Sequence, residues 1–276
     1  MSDSKSVNGV DLNADYNQVQ SDWLAQQEAY SQYDLEYQHM MVMIQEMDAG
    51  NMDPDLIINY FMYVMMPTIL NTQEDSMTIM GDQLNVLSDY RGLNAKAQSD
   101  FNDFNNGGGT TEEYQDIEEC LDAIKNGLNI DMQFADEDHL SGGFVLDSGT
   151  STQISSAIDE INSTISNGAK KEFPDDYDQD PDKRSADYLN DLWLSSTQPE
   201  PVEGGNNWID GASETIKGLG ENFTTINTGS STVSDGVQTE IQYQSSNYQQ
   251  FLGLDNNFLQ NRAKQVSALV QNQKTN

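Results

Sequence analysis

The sequence predicts a mainly α protein. Long N- and C-terminal helices pair as an intramolecular coiled coil or helical bundle around an irregular α middle insertion with minor β structure. Three observations predict this. Apolar residues recur at spacings of three and four across 16–47 and return across 233–269, which marks one face of a helix. Hydrophobic residues make up only 36% and the mean hydropathy is -0.67, so a modest core is built more easily along helix seams than as one sphere. The stretch between the seams is rich in Gly, Asn, Asp and Ser, which are loop formers.

Residues 1–12, MSDSKSVNGVDL, are small and polar and are expected to be disordered. They lack a charged stretch followed by an apolar one, so no cleavable signal peptide is expected. Residues 13–104 read as an N-terminal helical hairpin. In its first helix Tyr16, Val19, Trp23, Gln26, Tyr30, Tyr33, Tyr37, Met40, Ile44 and Met47 form a heptad seam, aromatic at the start and Met-rich at the end. Asn13 or Asp15 is the expected cap and Gly50 the expected stop. The second helix begins at Asp53 or Pro54, since proline suits a first helical turn. It passes the apolar run LIINYFMYVMMPTIL, is kinked by Pro67, is weakened by Gly81, and ends by Asn105. That run is too short for the roughly 20 residues of a membrane span. The short AGNMDP turn makes the two helices antiparallel neighbours.

Residues 105–229 read as a surface-exposed middle region. Thr110 and Glu113 form a capping box opening a short helix that Gly127 closes. A second short helix carries Ile154, Ile158, Ile161 and Ile165 and ends at Gly168. A short strand is expected at Phe144–Leu146. From Phe173 to Gly205 the Asp, Pro, Gly and Ser content predicts a partly mobile loop with a turn or two of helix at Tyr188–Leu194. Residues 230–276 form the last helix, about 60 Å long at 1.5 Å per residue. Its face carries Val233, Val237, Ile241, Tyr248, Leu252, Leu259, Val266 and Leu269, interrupted by Gln244 and Asp255.

The formal charge is -34, and no Lys or Arg occurs between Ser6 and Tyr90. Such a chain cannot displace counterions from phosphates, which argues against nucleic acid and anionic membranes as partners. The charge suits solubility and a basic partner. The single Cys120 leaves no internal disulfide framework. His39 and His139 stand apart from each other, so neither a catalytic triad nor a zinc site is expected. Gly107–Gly109 lacks the lysine of a phosphate loop. Asp176, Asp178, Asp180 and Asp187 have the spacing of calcium-loop ligands. However, Pro181 stands where such a loop needs glycine and the bidentate Glu is absent. No catalytic, cofactor-binding or metal-binding residue is therefore assigned. The residues expected to carry function form an assembly seam: Tyr37, Ile44, Phe61, Leu84, Ile241, Leu252, Leu259 and Val266.

Three segments carry a resemblance: the Ser- and Asn-containing start at Met1–Leu12, the run INYFMYVMMPTILNTQEDSMTIMGDQLNVLS, and the C-terminal helix from Val233 to Gln273. The chain resembles the hydrophilic filament and needle-tip proteins of bacterial type III secretion systems, especially EspA-like subunits, over roughly half its length. The resemblance implies a protein exported without a cleavable signal to the bacterial surface. It also implies terminal helices that pair and assemble, and an outward-facing, variable middle. The implied partners are further copies, a secretion chaperone and other apparatus subunits. The rival reading is a secreted effector or adaptor that binds a host protein through its acidic middle.

Overall fold

The computed structural model describes residues 6–50, 52–137, 144–197 and 208–274. Among them stand seven α-helices: α1 (Leu12–Asp48), α2 (Pro54–Tyr60), α3 (Met66–Asp103), α4 (Thr111–Glu137), α5 (Ser148–Glu172), α6 (Pro181–Thr197) and α7 (Ala212–Lys274). The protein is mainly helical, as expected. No strand forms among the described residues. Phe144–Leu146, expected as a strand, is a bend whose Val145 and Leu146 N–H groups are taken by the buried Asp131 carboxylate at 2.6 and 3.2 Å.

The helix boundaries follow from local chemistry. Asp11, not Asn13 or Asp15, caps α1 by accepting the Ala14 N–H at 3.2 Å. Ahead of it residues 6–11 are described. Asn8 and Gly9 both have positive φ and turn the chain tightly, so that Val7 and Val10 exchange backbone hydrogen bonds. Residues 1–5 lie outside the described residues. Pro54 opens α2, with Asp53 accepting the Asp55 N–H. Pro67 acts through a widened turn. The Met66 N–H bonds the Phe61 carbonyl five residues back, so residues 61–65 form a π-helical turn that joins α2 to α3. Thr110 and Glu113 close the expected capping box, each side chain accepting the other's N–H.

The chain divides into two compact units. The first comprises Met1–Asn17 and Gln83–Asp235. Its core is built from helix-spaced rows: Val86, Tyr90, Leu93, Ala97 and Phe101 on α3, Ile117, Leu121, Ile124 and Leu128 on α4, and Ile154, Ile158, Ile161 and Ile165 on α5. Leu189 and Leu192 of α6 and Leu219, Phe223 and Ile226 of α7 are equally buried. Phe101 meets both Trp193 and Phe223 with ring centroids 5.5 Å apart.

This unit corrects four expectations. The 105–229 region is not an exposed insertion, because it supplies most of a packed core. Instead of a turn or two of helix, α6 is a 17-residue helix with its apolar face buried. Gly127 and Gly168 do not stop α4 and α5. They sit inside those helices where another side chain passes close. A Cβ at 127 would lie 2.6 Å from the Tyr90 hydroxyl, and one at 168 would overlap the Tyr188 ring. Finally, α7 begins at Ala212 instead of Ser230, and its Ser230 and Ser234 are buried.

The second unit comprises Gln18–Asp82 and Gly236–Asn276. Gln26 of α1 bonds Ser76 of α3, and further along α1 Glu36 accepts from Tyr60 of α2. Partner numbers fall as α1 advances, so α1 runs antiparallel to the chain that returns through α2 and α3. Arg262 of α7 donates to the Asn59 side chain at 2.8 Å.

Candidate assembly surface

Burial in the second unit is sparse. Among the described residues its buried apolar side chains are Val19, Met62, Met65, Met66 and Ile79. Among the described residues every exposed large apolar side chain except Met132 belongs to it. Scattered exposed apolar residues are ordinary on a protein surface, but concentration in one unit is not.

The predicted seam residues occupy the edge of this thin core. Ile44, Phe61, Ile241 and Leu252 are half-buried, while Tyr37 and Leu259 are exposed. Leu84 is also half-buried but belongs to the first unit, so the eight residues do not form one set. The side chain of Val266 lies outside the described residues. Tyr37 stacks on Tyr33 of the preceding turn, with ring centroids 6.3 Å apart. Partial burial and the hydrogen bond donated to Glu36 push the Tyr60 phenol up to about 12, so it stays a donor at any physiological pH.

The structure adds a second row that the seam reading missed. On α1, Leu24, Leu35 and Val42 are 50%, 59% and 54% exposed. Their spacings of 11 and 7 residues return to nearly the same side of an α-helix, roughly opposite the Tyr30–Tyr37–Ile44 seam. On α7, Tyr243 and Leu254 repeat the 11-residue spacing at 61% and 59% exposure, opposite Ile241 and Leu252. Both helices thus present apolar side chains on two sides. The spacing was readable in the sequence, but one strong seam hides a weaker row behind it.

Charge completes the surface. Residues 18–82 carry eleven acidic side chains and no Lys or Arg; the cations of the second unit are Arg262, Lys264 and Lys274. A small groove beside them is lined by Asp55, Ile58, Phe258, Asn261, Arg262 and Gln265.

Chemistry-bearing groups elsewhere are structurally engaged. Cys120 is fully buried, accepts from the Asn8 amide, and has its thiol pushed up to about 11 by burial, which suppresses thiolate reactivity. His39 is exposed, 3.9 Å from Glu36. His139 lies outside the described residues. Of the acidic run, Asp176 and Asp187 bracket Arg184 at 3.2 and 2.9 Å, and Asp180 caps α6. Among the described residues no group of His, Cys, Asp and Glu is arranged to hold a metal ion, and no helix is long and apolar enough to cross a membrane.

No family model, curated protein or solved structure matches the chain.

Proposed function

We propose that the protein is a non-catalytic, secreted structural subunit of a type III secretion apparatus, which forms or caps an extracellular filament or needle through coiled-coil helices. One observation carries the reading. Nearly all the exposed large apolar side chains lie in the unit built from the terminal helices, while the other unit is closed over its own core. Further copies of the chain would cover what one copy leaves open. The heptad seam of α1 and the return of the same periodicity in α7 suit coiled-coil contacts. The acidic charge keeps the unassembled chain soluble, and a secretion chaperone would shield the apolar rows before export. Export to the bacterial surface rests on the resemblance of the termini to EspA-like subunits.

The test of export is to express the tagged protein in bacteria with an intact or an energy-disabled type III apparatus. The reading expects release into the medium from the first strain and retention in the second. Equal release from both, or retention in both, would remove the secretion apparatus from the proposal.

A further inference from the structure

The outward rows of α1 and α7 in the second unit share one spacing. On α1, Leu24, Leu35 and Glu46 are exposed at steps of 11 and 11 residues. On α7, Tyr243, Leu254 and Lys264 are exposed at steps of 11 and 10. Eleven residues carry an α-helix through three turns and about 20°, a rise of about 16.5 Å. Two such helices laid parallel therefore bring Leu24 level with Tyr243, Leu35 with Leu254, and Glu46 with Lys264. Glu46 turns about 20° past Leu35, and Lys264 about 80° back from Leu254, which places both on the same rim of the contact.

Charge selects this arrangement. A chain with net charge -34 meets a second copy of itself against strong repulsion, so contact favours the register that brings opposite charges together. In the parallel register the exposed Glu28 faces Asn247, and the exposed Glu240 stands level with Gln20. Laid antiparallel, the rows would still match Leu24 with Leu254 and Leu35 with Tyr243, but Glu46 would fall level with Thr232. Neither Glu46 nor Lys264 forms an ion pair with a described residue of its own copy.

Resting on the self-assembly reading above, we propose that the Tyr243–Leu254–Lys264 row of α7 in one copy lies parallel on the Leu24–Leu35–Glu46 row of α1 in the next. The contact is heterologous: the two surfaces differ, and each copy keeps one of each free. Such contacts propagate into open chains or rings instead of stopping at a two-fold dimer. The apolar pairs supply burial. The Glu46–Lys264 pair fixes direction and register, within a Debye length of about 8 Å at physiological salt.

Glu46→Lys and Lys264→Glu test this by reversing the pair one side at a time. Circular dichroism should show unchanged helicity in both. Light scattering in physiological salt should show each variant alone needing roughly three- to tenfold more protein than wild type to assemble. An equimolar mixture should recover, because alternating copies again set opposite charges at every contact. One chain carrying both changes should recover as well. Lys264→Glu combined with Glu28→Lys has the same net charge but should stay deficient, since Glu28 lies level with Asn247. Wild-type assembly by either single variant would overturn this register while leaving self-assembly standing. Recovery by the double variant but not by the mixture would place the pair within one copy, and equal recovery with Glu28→Lys would reduce the effect to net charge. Either result also overturns the proposal. Failure of the wild type to assemble at any concentration would remove the underlying reading as well.

Discussion

The phenolic oxygens of Tyr16 and Tyr90 lie 2.8 Å apart, both side chains fully buried, with Gly127 of α4 against the Tyr90 hydroxyl. This hydrogen bond fixes the first turns of α1 onto α3 in the unit with the large core. A buried hydroxyl that loses its partner suffers the full desolvation cost, about 1–3 kcal/mol. Tyr16→Phe or Tyr90→Phe should each lower the free energy of unfolding by that order, read from urea titration. The double variant should recover part of the loss, since no orphaned hydroxyl remains.

Glycines in the helices divide into two kinds. At 168 a methyl group would overlap the Tyr188 ring, whereas at 81 and 92 in α3 nothing lies within 4 Å of an added Cβ. Gly168→Ala should destabilise by about 1–3 kcal/mol through overpacking. Gly81→Ala and Gly92→Ala should each stabilise by about 0.4–1 kcal/mol through helix propensity and a less flexible unfolded chain. Thermal unfolding of the three variants checks the signs.

These glycines also show what the sequence could reveal. Gly50 and the Thr110–Glu113 box mark real boundaries, and the Tyr16–Met47 periodicity marks a real helix. Gly127 and Gly168 look the same in sequence as Gly50, yet they permit close helix packing instead of ending a helix. The start of α7, residues 212–229, was missed for the same reason. Gly229 fell in the region expected as an exposed middle, but it is small because the helix is closely packed there, with Ile154 against it. The seam was legible as a face. Its exposure was not, because periodicity says which side is apolar and not whether one copy covers it.

Asp131 gives the first unit a pH dependence. Burial pushes its carboxyl up to about 6, against the lowering effect of the Val145, Leu146 and Phe144 N–H groups. The folded state therefore binds this proton more tightly than the unfolded chain. Its stabilising contribution is full below the unfolded carboxyl value near 4 and is lost as pH rises to about 6 and beyond. Burial and the hydrogen bond with Asp89 push Asp15 up to about 6 as well, so it titrates in the same window. The stability difference between wild type and Asp131→Asn, measured by urea unfolding, should shift against the wild type by up to about 3 kcal/mol between pH 4 and pH 7. A difference independent of pH would show that Asp131 titrates normally.

Leu259 is 41% and Leu35 is 59% exposed, so a charge at either position stays wet in the single copy. Leu259→Asp and Leu35→Asp should change monomer stability by less than about 0.5 kcal/mol. In an assembled contact the same charge would be buried without a partner, at a cost of several kcal/mol. Thermal unfolding close to wild type, combined with lost assembly, is the expected pair of results.

The most direct measurement is sedimentation velocity of the purified wild-type chain over a wide concentration range, at neutral pH and physiological salt. Assembly through the terminal-helix unit predicts concentration-dependent growth from monomer into large species, abolished by Leu259→Asp. A single monomeric species across the whole range would contradict it, and would mean that the exposed rows of α1 and α7 do not recruit further copies.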